Sequence, residues 1–187
     1  VIAGAELFTG NNLMISSVMS REITFGIMLQ RWALVFLANF IGSILLALLF
    51  YFSGLWKTGN GALGASALAI AFAKVKLSFA EALWRGIGCN WLVCLAVWMA
   101  LAARQTISKI FAIFFPIMAF VASGFEHSIA NMYFMAIGIF VKGNEAVVTA
   151  AELAPDKLAA VNWAGYMHNL VPVTLGNMVG GILFVAI

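Results

Sequence analysis

The sequence predicts an all-α integral membrane protein, arranged as an inverted repeat around two broken helices. Three observations carry that prediction. Apolar residues fill 64% of the 187 positions and charged residues only 9%, against roughly 25% charged in ordinary soluble domains. Two polar interruptions, GAELFTGNN at 4–12 and GFEHSIAN at 124–131, each contain Gly-x-Glu and lie within otherwise apolar chain. Each is followed by the same short motif, Asn-x-x-Gly, as Asn39–Gly42 and as Asn177–Gly180.

The first interruption opens the chain. Lipid offers no hydrogen-bond partner, so non-helical backbone at membrane depth must line a cavity or be buried in protein. Next, Trp32 to about Ser53 is an uncharged run, long enough to span where roughly 20 helical residues cross the hydrocarbon core. A second span, Phe79 to Ala102, begins at Ser78-Phe79-Ala80-Glu81, a capping-box spacing. Lys74 lies just outside that start, where the default for a lysine is to snorkel to the interface. Trp84, Trp91 and Trp98 repeat every seven residues along this span and read as a lipid- or partner-facing stripe. The apolar stretch 110–141 is half as long again as one span needs; residues 124–127 divide it into two half-helices, the first containing Pro116. Residues 142–162 form a polar connection, and the last span runs from about Trp163 to Ile187.

The repeat reads as a broken segment followed by a helix with Asn-x-x-Gly, in halves of about 1–56 and 79–187 within one channel domain, 1–187. The second half has an intact helix, 79–102, before its break. The first has none, and the chain opens on Val1-Ile2-Ala3 without a Met or a basic leader. The repeat therefore predicts a helix before Val1, absent from this chain. Inverted repeats place a site near the bilayer midplane. The composition excludes disorder and nucleic-acid binding, since the net charge of +3 is scattered and forms no basic run. Cys89 and Cys94 match no redox or disulfide spacing and read as packing thiols.

Ionisable and polar groups at membrane depth are the candidates for chemistry, because they are costly there unless they serve a pathway. His127 is the sharpest. Thr9 offers a hydroxyl at the first break, either as a helix cap or toward a pathway. Glu6 and Glu126 read as carboxylates that support the loops, with ion coordination as the alternative. Asn90 lies mid-span on a face with Gly86, Val93 and Val97, as glue between helices or as pore lining. Leu7, Phe8 and Phe120 are apolar neighbours of the polar centre, as packing or as a gate. Phe120 precedes His127 by seven residues, roughly 10 Å along a continuous helix, which places its ring away from the imidazole. No metalloprotease, nucleophile-elbow or phosphate-loop motif occurs, so neither an enzyme nor a cofactor is expected.

Four segments, GFEHSIANM (124–132), AELFT (5–9), CNWLVCLAVW (89–98) and NLVPVTLGN (169–177), resemble the formate–nitrite transporter family. The resemblance implies an aquaporin-like fold of six helices with the second and fifth broken. It also implies a homopentamer with one pore per protomer in a prokaryotic inner membrane, with cytoplasmic termini. A count of Lys and Arg alone gives the opposite orientation: Lys57, Lys74, Lys76, Arg85, Lys142 and Lys157 on one side outnumber Arg21, Arg31, Arg104 and Lys109 on the other. By resemblance, His127 is the central pore histidine and Thr9 its partner, while Lys74 and Asn90 line the outer approach. Leu7, Phe8, Val93 and Phe120 match constriction positions, and Glu6, Glu126 and Asn131 belong to the break motifs. The best-known formate and nitrite channels read Phe-Thr-Ser at the first break, where this chain reads Phe8-Thr9-Gly10-Asn11-Asn12, a wording closer to hydrosulfide-type members.

The expected function is passage of a small monovalent anion (formate, hydrosulfide or nitrite) across the lipid bilayer, either passively or coupled to a proton through His127. The alternative is an aquaporin-like pore for water or small neutral solutes, although paired Asn-Pro-Ala breaks are absent.

Overall fold

The computed structural model describes residues 4–187; the opening Val1–Ala3 lies outside them. Among these residues there are helices and no strands. A 3-10 turn, Gly10–Leu13, leads into the short helix α1 (Met14–Met19), followed by α2 (Phe25–Phe52), α3 (Ala62–Val75) and α4 (Phe79–Ala102). Then come α5 (Thr106–Ala122), α6 (Ser128–Val141), α7 (Glu145–Ala151), α8 (Pro155–Ala160) and α9 (Trp163–Gly181), which ends in a π-turn, Ile182–Ala186. Three stretches, Phe25–Phe52, Phe79–Ala102 and Trp163–Ala186, are long and apolar enough to cross a membrane.

Local chemistry sets the ends. At α4 the Ser78 N–H and Oγ–H both donate to Glu81 Oε2, at 2.9 and 2.7 Å, and the Glu81 N–H returns to Ser78 Oγ, the reciprocal arrangement of a capping box. Asn144 Oδ1 accepts from the Val147 amide at the start of α7, and Asn162 Oδ1 from the Gly165 amide at the start of α9. α5 runs unbroken through Pro116 and ends at Ala122, two residues before Gly124, whose φ of +69° is a left-handed conformation that side chains disfavour. Helix resumes at Ser128, so the second break spans 123–127, one residue longer than the 124–127 of the sequence reading.

The burial pattern is that of a chain in lipid. Leu34, Leu37, Ile41, Leu45, Leu49 and Phe52 recur at three- and four-residue spacing along α2, and all are exposed. Trp84, Trp91 and Trp98 are likewise exposed. The groups a soluble protein would turn outward are buried instead: Thr9, Asn12, Asn90, Glu126, His127, Ser128, Asn131, Asn169 and Asn177. Apolar surface outside costs nothing when the solvent is hydrocarbon, whereas a polar group there must find a partner within the protein.

One boundary is corrected and one helix is added to those the sequence predicts. α2 starts at Phe25, seven residues before Trp32, because exposed Gln30 and Arg31 occupy its first turns instead of ending it. Within residues 57–78, which lie between the two repeat halves, α3 occupies Ala62–Val75, and Lys74 lies in its last turn. The alanine-rich run favours helix, while its fourteen residues are too few to read as a span.

By contacts the chain divides into two compact units. One comprises the described residues through Asn39, with Ala82–Ser128 and Pro172–Ile187; the other comprises Phe40–Glu81 with Ile129–Val171. The first contains both breaks. It is packed closely where α4 meets α9: a Cβ at Gly176 would collide with the Leu83 carbonyl and the Gly86 Cα, and one at Gly180 with the Ile87 carbonyl. In the second, Gly138 of α6 admits Ala71 of α3, Tyr166 Oη–H donates to the Met132 carbonyl, and the α6–α7 pair is bent by 116°.

Candidate functional site

The first break is a strand of backbone held from three sides. Gly4 takes a left-handed φ of +79°. Beyond it, the Glu6 carbonyl accepts from Asn39 Nδ2 at 3.2 Å, and the Phe8 N–H donates to Asn39 Oδ1 at 3.0 Å. The Trp32 indole N–H donates to the Asn11 carbonyl at 2.9 Å, and Asn11 Nδ2 donates to the Glu6 carboxylate at 2.8 Å. The Glu6 carboxylate therefore ties the turn that follows it. Phe8 is buried with its ring edge-on to Phe36 and Trp32, at centroid distances of 5.0 and 6.0 Å.

Thr9 precedes the 3-10 turn, and its side chain makes no capping bond. Its hydroxyl meets His127 instead: Thr9 Oγ1 and His127 Nε2 share a hydrogen bond of 2.9 Å, both groups being buried. The Thr9 carbonyl on the far side accepts from Asn90 Nδ2 at 3.1 Å and from the Cys94 thiol at 3.2 Å. Asn90 Nδ2 also donates to the Asn177 carbonyl at 2.6 Å. Asn90 thus joins α4, the first break and α9.

The second break is held in the same manner. The Glu126 N–H donates to the Arg85 carbonyl. Asn177 Nδ2 donates to the carbonyls of Gly86 and Glu126 at 2.8 and 2.9 Å, and Asn177 Oδ1 accepts from the Ser128 N–H at 2.8 Å. The Phe125 ring covers Gly88, where any side chain would strike it. His127 sits between the anchored Glu126 and Ser128, directly before α6, where the free amides of a helix start create positive potential.

Phe120 corrects the linear expectation. Its ring stacks on the His127 imidazole with centroids 5.8 Å apart and an interplanar angle of 25°, because the turn at Gly124 folds the chain back. Leu7 and Val93 lie together on the wall of a cavity of about 370 Å³, with Glu6, Asn11, Ala96, Val97, Ile113 and Ile117. That wall is apolar apart from Glu6 and Asn11.

Lys74 and Asn131 belong to the other unit. Asn131 Nδ2 donates to Asn169 Oδ1 at 2.8 Å, and Asn169 Nδ2 donates to the Lys74 carbonyl at 2.9 Å, so a chain of amides steadies the end of α3. The Lys74 ammonium lies 5.7 Å from the Phe134 ring centroid. Sequence reasoning did not pick out Asn39, Asn177 and Cys94 as site residues, although Asn-x-x-Gly had marked the two asparagines as members of a repeat. Among the described residues no group of His, Cys, Asp and Glu is placed to hold a metal.

A family model described as formate/nitrite transporter matches residues 1–187. The chain is 41% identical over 205 residues to a probable formate transporter of Methanothermobacter thermautotrophicus, covering all of this chain and 67% of that protein. It is 40% identical over 190 residues to the formate channel FocA of Escherichia coli (strain K12), with the same two coverages. Against the nitrite transporter NirC of Salmonella typhimurium it is 36% identical over 193 residues, covering 64% of that protein. Among solved structures, a pentameric formate channel with formate bound superposes with a TM-score of 0.86 at 36% identity, over 98% of this chain and 73% of the other.

Proposed function

From the premise that this chain belongs to the formate/nitrite transporter family, and is a transporter of small anions rather than an enzyme, we propose that it moves formate through a pathway past Thr9 and His127. The observation that carries this reading is the buried hydrogen bond of 2.9 Å between those two side chains. It places a hydroxyl and an ionisable ring together where apolar composition would otherwise bar an anion. Relatives and a structural neighbour named for formate support that substrate over hydrosulfide and nitrite.

A bare anion in a low-dielectric slit faces a desolvation penalty of several kcal/mol. The Thr9 hydroxyl, the His127 ring and the positive end of α6 offset part of it. An imidazole N–H can also donate its proton, which turns the anion into a neutral acid and removes the penalty while the molecule crosses. Leu7, Phe8, Val93 and Phe120 form the apolar constrictions on this reading. Asn90 and Lys74 line the outer approach, and Glu6, Glu126 and Asn131 support the loops. The chain acts as a single channel domain, multi-pass in a prokaryotic inner membrane, in a homopentamer like the neighbour named as pentameric.

Purified protein in liposomes, offered formate, nitrite, hydrosulfide and glycerol in turn, tests this. Formate should pass fastest and glycerol should not pass. Passage of glycerol with exclusion of all three anions would overturn the reading in favour of a neutral-solute pore.

A further inference from the structure

The two breaks share one anchoring device. In each, a left-handed glycine (Gly4, Gly124) is followed two residues later by a glutamate whose main-chain carbonyl accepts from an asparagine Nδ2. Two residues beyond the glutamate, a main-chain amide, that of Phe8 or of Ser128, donates to the same asparagine's Oδ1. The asparagines are Asn39 and Asn177, the first residues of the two Asn-x-x-Gly motifs. The four distances are 3.2 and 3.0 Å at the first break, 2.9 and 2.8 Å at the second. The glycines of the motifs are not equivalent: a Cβ at Gly180 would strike Ile87, whereas one at Gly42 would meet nothing within 4 Å. What repeats is the carboxamide and its two bonds.

A carboxamide is the side chain that does this with one planar group, since it offers a donor and an acceptor side by side. It satisfies one carbonyl and one amide that the missing helix leaves open, and it fixes the spacing between them. The residue enclosed by the pair is Leu7 in the first break and His127 in the second. Thr9 follows the first clamp directly.

We propose that Asn39 and Asn177 are equivalent positioning residues, whose carboxamides hold the two breaks in the register that brings Thr9 Oγ1 against His127 Nε2. This rests on the reading of Thr9 and His127 as the pathway. A clamp acts through the pair it positions, so its loss should matter only while that pair is intact. General packing instead contributes independently of Thr9, and independent effects add as free energies.

The test is a double-mutant cycle on flux with amide exchange beside it. Asn39→Ala and Asn177→Ala are made in the parent and in Thr9→Val, reconstituted in liposomes and assayed with formate. Each alanine variant should lower flux about tenfold in the parent, the equivalent of a buried hydrogen bond, and have little further effect in Thr9→Val. Hydrogen–deuterium exchange should show the Phe8 amide losing protection in Asn39→Ala and the Ser128 amide in Asn177→Ala. If an alanine variant does not assemble, Asn→Asp replaces it: it keeps the acceptor for the amide, loses the donor to the carbonyl, and should show the same dependence on Thr9. Flux losses that multiply with that of Thr9→Val overturn the positioning role, as does unchanged flux. Thr9→Val conducting like the parent overturns the pathway reading and the positioning role with it. Loss of amide protection would in that case still uphold the clamps themselves, and unaltered protection would remove them too.

Discussion

Phe120 and His127 lie face to face, their ring centroids 5.8 Å apart, although seven residues and the end of a helix separate them in sequence. The imidazole therefore has an aromatic lid on one face and the Thr9 hydroxyl at its Nε2 edge. His127 is buried, and a hydrogen bond in a buried, low-dielectric site counts for more than one in water.

Removing the lid should have a defined consequence. Phe120→Ala forfeits an aromatic contact of about 0.5–1.5 kcal/mol and opens the space over His127 to water. The expected outcome is a higher formate flux with a lower formate-to-lactate flux ratio, measured on purified oligomer in liposomes. An unaltered ratio in well-assembled protein would assign the ring to packing.

His127→Phe keeps a flat ring beside Phe120 but leaves Thr9 Oγ1 without its partner, at a cost of about 1–3 kcal/mol. Oligomer yield in detergent should survive, because the main-chain bonds of the second break come from Asn177 and Arg85. Formate flux should fall more than about tenfold, as expected when a charge-stabilising group is lost from the path. Parallel loss of yield and flux would instead mark a histidine whose work is structural.

Much of this was legible in the sequence, for one physical reason. A polar group in an apolar chain is expensive, so Thr9, Glu126 and His127 stood out without any fold in view. Span lengths placed α4, α5, α6 and α9 because membrane thickness sets them. α3 was harder to see, because its fourteen residues are fewer than the roughly 20 by which a span is recognised. The start of α2 was hidden by Arg31, which is tolerated because it is exposed. The Phe120–His127 stack depends on a turn at Gly124 that linear spacing cannot convey. The asparagine clamps join residues 31 to 51 positions apart, and a repeat motif shows that two residues correspond without showing what they hold.

Close packing between α4 and α9 gives a stability expectation. Gly176→Ala drives a methyl group into the Leu83 carbonyl and the Gly86 Cα, both of them backbone atoms. Overpacking of this kind costs about 1–3 kcal/mol, so the midpoint of thermal unfolding in detergent should drop. Gly42→Ala serves as the comparison, since its Cβ meets nothing within 4 Å of the protomer and alanine favours helix by up to about 1 kcal/mol. Its midpoint should hold or rise. A Gly176→Ala protein as stable as the parent would show that α4 and α9 can separate without cost.

Lys74 allows a test of electrostatic attraction. Its main-chain carbonyl is bonded to Asn169 Nδ2 and to the Leu77 amide, and both bonds remain when the side chain is shortened. Its ammonium lies near the Phe134 ring, and Lys74 is half-buried, so the cation–π contact is worth about 0.5–2 kcal/mol. A fixed positive charge raises the local concentration of anions, and salt screens it over about 8 Å at physiological ionic strength. Lys74→Ala should therefore slow formate entry on the order of threefold to tenfold at low salt, with the deficit shrinking as salt rises. Lys74→Arg, which keeps the charge, should conduct like the parent at every salt concentration. A deficit in Lys74→Ala that is the same at low and high salt would refute attraction and leave a packing role for the lysine.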